Sequence, residues 1–218
     1  DMPFMDVELE AYFDYWMTAS TKNRYFGIKT WPESDKGKMK VSGFEIKASN
    51  SAPISKRVQE TAMQLVGMGA DENEVNDAIR PISLAVKSGD MPVEELSPYG
   101  RIKRKFAKYT ANVPLPVRAA KYYNDNIKTN EPFRPGDGAQ WAFVKAVPDG
   151  MSNTVRVANK TFDANVVAFR EASELSDFVI DYDMIVEKMI RAKLKNIYDT
   201  MGWNLDTASG APVPEVYW

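Results

Sequence analysis

No cysteine and no histidine occur among the 218 residues. The first absence excludes disulfides and thiolate metal sites. The second removes the commonest general base, so no serine or cysteine triad built on imidazole can exist in this chain. No run approaches the ~20 apolar residues of a membrane-spanning helix, and the first residues lack a basic stretch leading into an apolar one. No membrane association is therefore expected, and the protein reads as cytoplasmic, in the host cytoplasm if the source is viral. A strong charge imbalance is also missing: Lys and Arg number 28 against 30 Asp and Glu, for a net of −2.

What the chain has instead is charge segregation. From Tyr99 to Lys128 there are eight basic residues (Arg101, Lys103, Arg104, Lys105, Lys108, Arg118, Lys121 and Lys128) and one acidic residue, Asp125. Thr21 to Lys40 adds six Lys or Arg against Glu33 and Asp35, while carboxylates collect in 1–14, 71–77 and 163–187. Segregated signs let a protein of low net charge offer one basic face to phosphates. The competing reading of any single lysine is a solvated side chain.

Periodicity gives a coarse map. Residues 1–20 are apolar and acidic, and fit a strand or a helix equally. Arg24 to Trp31 alternates as a strand, a turn-rich stretch follows from Trp31 to Gly37, and Lys38 to Ile46 returns as a second strand, giving a hairpin. Near Asn50 the character turns helical. Pro53 opens a helix with Ile54, Val58, Ala62 and Leu65 on one stripe, and a second helix fits Asn73 to Leu84 behind an N-cap at Asp71 or Asn73. Met91 to Gly100 reads as loop, Val117 to Asn126 as helix and Trp141 to Val147 as strand. Asp181 to Met201 is the strongest helix, with Asp181 as N-cap and Gly202 as stop. Tyr122 and Tyr123 read as core aromatics.

Four segments recur in an informative order: Lys22-Asn23-Arg24-Tyr25-Phe26-Gly27, Lys40-Val41-Ser42-Gly43-Phe44-Glu45, Ser51-Ala52-Pro53 and Val58-Gln59-Glu60. Together they resemble the end of the palm and the start of the thumb in family B DNA polymerases, and are most similar to the replicative enzymes of T-even-type tailed phages. Leu84-Ala85-Val86-Lys87-Ser88 and Val113-Pro114-Leu115-Pro116-Val117-Arg118 resemble thumb segments of the same enzymes. The likeness runs from about Met5 to Leu205. It implies an α+β fold, with a small palm-derived β-hairpin region at 1–50 and a mostly helical thumb with a minor β element at 51–205. A flexible C-terminal tail is expected at 206–218.

The function implied is to hold primer–template duplex by its phosphates and the uninformative minor groove, as an enzyme acting on any sequence must. By resemblance, Lys22, Arg24 and Tyr25 contact the primer, with Asn23 standing where the family has a second lysine. Lys87 with Ser88, and Arg118, fall to the duplex backbone at helix starts, where free amides favour phosphate. Arg101, Lys103, Arg104 and Lys105 complete the basic set. Tyr25 as a strand aromatic, and Arg118 in an internal salt bridge, are the alternatives. The family's metal-binding Tyr-x-Asp-Thr-Asp-Ser and Asp-x-x-Ser-Leu-Tyr-Pro motifs do not occur. No catalytic residue and no cofactor is thus expected in this chain, and magnesium belongs to a catalytic part outside it. Asp181 and Asp183 read as helix-start residues rather than metal ligands.

Tyr217 and Trp218, at the end of the tail, match the placement and aromatic character of the peptide by which the phage enzymes dock on a sliding clamp. A frayed end, or an anchor folding back on the thumb, is the other reading. The remainder of the polymerase is the expected partner, and apolar side chains in 1–20 are expected to promote self-association. The start at Asp1 favours a fragmentary product over the natural C-terminal subunit of a split polymerase. The rival function is a stand-alone, non-catalytic DNA-binding accessory protein, and an unrelated Asp/Glu enzyme is a third reading.

Overall fold

Alternating apolar positions from Arg24 to Ile46 call for a sheet, and a sheet forms. The computed structural model describes residues 9–19, 23–127 and 130–208, the side chains of 207 and 208 excepted. Strands β1 (Tyr12–Thr18), β2 (Tyr25–Trp31) and β3 (Met39–Ser42) make an antiparallel meander in that order. The undecided N-terminal stretch is therefore strand over Tyr12–Thr18, and the expected hairpin is β2–β3. Met17, Phe26 and Val41 point into the core.

The β1–β2 turn passes through Asn23 at φ 62°, a left-handed conformation that Asn tolerates better than Lys. This gives a local reason for the amide at that position. The Ala19 N–H closes the turn onto the Arg24 carbonyl at 2.9 Å. Gly43, at φ 74°, lies directly beneath it: a Cβ there would stand 2.3 Å from the Asn23 oxygen.

Helix α1 (Pro53–Gly67) begins on proline, and α2 (Glu72–Lys87) begins on a reciprocal capping box. Asp71 Oδ1 accepts from Glu74 N at 3.0 Å, and Glu74 Oε2 accepts from Asp71 N at 2.9 Å. The 91–100 segment is not a plain loop. It contains a short helix, α3 (Val93–Leu96), and the start of a strand, β4 (Tyr99–Arg101). Helix α4 (Leu115–Asn126) follows, then β5 (Gly138–Ala146).

From there to 180 the chain is built of strands: β6 (Thr154–Val157), β7 (Lys160–Asp163), β8 (Val166–Phe169) and β9 (Val179–Ile180). Strand β5 is central, paired antiparallel to β4, β8 and β9, while β6 and β7 form a separate hairpin. The β part of this region is thus larger than the single strand read from the sequence.

Two hydrophobic clusters meet at β5, whose alternate residues serve different sides. Trp141 and Phe143 join the larger cluster with α1, α2 and the last helix. Ala142 and Val144 join the smaller one with Val117 and Tyr122 of α4, Val155 and Val167. Tyr122 and Tyr123 are fully buried, as read from the sequence.

The last helix runs from Tyr182 to Met201 with an irregular middle. It consists of α5 (Tyr182–Ile185), a π-helical stretch Val186–Arg191 and α6 (Ala192–Met201). Asp181 caps its start by accepting from Met184 N at 2.9 Å, and Gly202 ends it at φ 72°. Helix α7 (Leu205–Ala208) occupies the first residues assigned above to the tail. No helix among the described residues is long and apolar enough to cross a membrane.

Candidate nucleic-acid interface

Four parts of the fold meet around an open cleft of about 1120 Å³. One wall comes from Glu45, Ser51, Ala52 and Ser55, where β3 passes into α1. A second comes from β4 and the loop after it, with Tyr99, Arg101, Lys103, Arg104 and Tyr109. The start of α4 contributes Pro114, Leu115 and Pro116, and the last helix contributes Met184, Lys188, Met189, Ala192 and Lys193. Five basic side chains from two separate parts of the sequence therefore share one groove with a single carboxylate, Glu45.

The loop carrying Lys103 and Arg104 is held by Tyr109, which is buried. Its hydroxyl accepts from the Lys103 N–H at 3.1 Å, and the Arg104 guanidinium lies 4.5 Å above its ring. Such stacking leaves a guanidinium's N–H groups free to donate at the edge while fixing its plane. Arg101, at the end of β4, is exposed. The opposite wall is anchored by α1. Ser55 Oγ donates to the Met189 carbonyl at 2.8 Å, and Gln59 Nε2 donates to the Lys193 carbonyl at 2.8 Å.

Gln59 also donates to Glu45 Oε2 at 2.8 Å, and Lys193 Nζ approaches Glu45 Oε1 at 3.5 Å. Burial pushes the Glu45 carboxyl pKa up, but the Gln59 amide and the charges of Lys193 and Arg24 outweigh it and leave it lowered.

The residues singled out in the sequence are not all together. Arg101, Lys103 and Arg104 line the cleft; Arg24 does not, and acts there only through its charge on Glu45. Tyr25 is half-buried, its ring stacked 4.6 Å from that of Trp16. Lys105 is exposed outside the cleft lining. Lys87 and Ser88 stand at the C-terminal end of α2, ahead of the short helix α3, and Ser88 Oγ donates to the Leu84 carbonyl at 3.1 Å and to Asp90.

Arg118 differs too. Its guanidinium sits 3.9 Å over the Phe162 ring, and its Nε donates to the Val113 carbonyl at 3.0 Å, an internal use but not a salt bridge. The start of α4 also offers few amides: Pro116 has none, and those of Val117 and Arg118 both donate to the Pro114 carbonyl. Lys22, Tyr217 and Trp218 lie outside the described residues.

Sequence reasoning missed Lys188 and Lys193. On a helix that also carries Glu187, Arg191 and Lys195 they look like an ordinary solvated face.

No family model matches the sequence, and no curated protein does. The fold, in contrast, has a counterpart. The structure of the family B DNA polymerase from the hyperthermophilic archaeon Pyrobaculum calidifontis is similar to this chain, with a TM-score of 0.60 at 16% identity. What the two share is a fold. The match covers 87% of this chain and 22% of the archaeal one, so the chain spans about a fifth of that polymerase's length.

Proposed function

We propose that this chain is the end of the palm and the thumb of a family B DNA polymerase, and that its cleft holds primer–template duplex. The observation that carries the reading is the convergence of Arg101, Lys103, Arg104, Lys188 and Lys193 on one groove against Glu45 alone. Phosphates attract such a groove without regard to base sequence, and the attraction falls with salt. On this reading Arg24, Tyr25 and Lys22 lie on the primer side, Lys87, Ser88 and Lys105 contribute outer charge or hydrogen bonding, and Arg118 braces α4 against the β6–β7 hairpin. The segments that resemble T-even-type phage enzymes make the phage replicative polymerases the reference group within the family.

Nucleotidyl transfer, with the magnesium it uses, belongs on this reading to residues outside these 218. The remainder of the polymerase is the expected partner. Tyr12, Trp16 and Trp31 are exposed on the outer face of β1 and β2, and offer it, or a second copy of the chain, an aromatic surface. Tyr217 and Trp218 are assigned to a sliding clamp, and the compartment to the cytoplasm.

The test is binding of fluorescently labelled primer–template duplexes of several unrelated sequences, read by anisotropy. Equal affinity for all of them supports the reading. A marked preference for one sequence points to a regulator instead, and no binding by folded protein refutes the reading.

A further inference from the structure

Glu45 is the one carboxylate of the cleft lining, and Gln59 stands behind it; together they hold Lys193, Glu45 at its Nζ and Gln59 at its carbonyl. We propose that Glu45 and Gln59, with Ser55, are positioning residues that hold the π-wound last helix so that Lys188 and Lys193 face the cleft together. This rests on the duplex-binding reading above.

Helical winding supplies the first argument. A π turn winds by roughly 80° per residue against about 100° in an α-helix. With Val186–Arg191 in π geometry, Met184, Lys188, Met189, Ala192 and Lys193 fall within an arc of roughly 110°, where an unbroken α-helix would spread them over about 180°. The π stretch thus brings Lys193 to the side where Lys188 already points.

A π stretch is unfavourable alone and needs support, and α1 braces it at the Met189 carbonyl inside the stretch, through Ser55, and at the Lys193 carbonyl just after it in α6, through Gln59. Both groups facing Gln59 Nε2, the Lys193 carbonyl and the Glu45 carboxylate, are acceptors, which fixes the amide's orientation. Gln59 is fully buried, and its Oε1 has no hydrogen-bond partner among the described residues, so the side chain is kept there for what Nε2 does. The second carboxylate oxygen of Glu45 then draws in Lys193 Nζ. The cleft's one acid is in this account a tether and not a flaw in its charge.

The sign of one substitution separates tether from bystander. Glu45→Gln keeps size and an acceptor for Gln59 but removes a negative charge from a groove that binds a polyanion. If Glu45 only repels phosphate, duplex binding tightens. If it positions Lys193, binding weakens by about three- to tenfold, and in a Lys193→Ala background the same substitution no longer weakens it. Tighter binding of Glu45→Gln in the wild-type background overturns the proposal, as does equal weakening in both backgrounds.

A second readout needs no DNA. The rate of Lys193 acetylation in the free protein, followed by peptide mass spectrometry with Lys195 as internal reference, rises in Glu45→Gln and in Gln59→Leu. An unchanged rate refutes the tether. Failure of the wild-type protein to bind duplex refutes the DNA reading instead, and the acetylation rates then decide whether the tether survives it.

Discussion

Gly43 sits so close to Asn23 that a Cβ at position 43 would stand 2.3 Å from the Asn23 carbonyl oxygen. The turn between β1 and β2 and the exit of β3 are thereby packed backbone to backbone, which joins the two motif groups that lead into the cleft. Gly43 also has φ 74°, costly for any residue with a side chain. Gly43→Ala is expected to destabilise the fold by about 2–4 kcal/mol, strain and clash together, measured by urea denaturation.

Tyr198, fully buried on α6, donates to Asn76 Oδ1 of α2 at 2.8 Å, and burial with the nearby Glu72 pushes its phenol pKa well up. Removing a buried donor costs more than an average hydrogen bond contributes. Tyr198→Phe should lower stability by about 1–3 kcal/mol in the same assay. A change below about 0.5 kcal/mol would show that the contact does not hold the last helix on α2.

Arg118 is a test of where charge matters. Stacked on Phe162, it is expected to act through packing. Arg118→Ala should therefore lower the unfolding free energy by about 1 kcal/mol while leaving the salt dependence of duplex binding unchanged. A shallower salt dependence would restore it to the DNA-contacting set.

Acid sensitivity follows from Asp35. Hydrogen bonds from Lys29 Nζ at 2.6 Å and Lys38 Nζ at 2.8 Å, with the charges of both lysines, hold its carboxyl down at about 2. A lowered folded-state pKa adds stability that is complete above the unfolded value near 4 and is lost as pH falls toward about 2. Wild type should be more stable than Asp35→Asn at pH 6, with the gap closing between about pH 4 and pH 2. A gap constant over that window would contradict the assignment.

Legibility in the sequence tracked the length and regularity of each signal. The β2–β3 hairpin, α1, α2 and α4 were visible because alternation, Pro53 and the Asp71–Glu74 box mark them locally. Strands β6 to β9 have two to four residues each, and β8 is buried at all four positions, so no alternation announces it. The π stretch leaves no composition signature, and with it Lys188 and Lys193 stayed hidden among solvated charges. Arg101, Lys103 and Arg104, which line the cleft, stood out in the sequence because their basic run has no acids beside it. The local surroundings of Lys87, Ser88 and Arg118 were not legible, since only the three-dimensional packing shows which end of a helix, or which aromatic ring, a side chain meets.

The central claim is that cleft cations hold duplex by its phosphates, and the salt dependence of binding measures that most directly. Duplex affinity of wild type and of Arg101→Ala/Arg104→Ala is to be compared by anisotropy across a range of salt concentrations. The account predicts a steep linear fall of log K with log salt for wild type, and a slope shallower by roughly two in the double variant. Equal slopes for the two proteins, or wild-type affinity indifferent to salt, would contradict it.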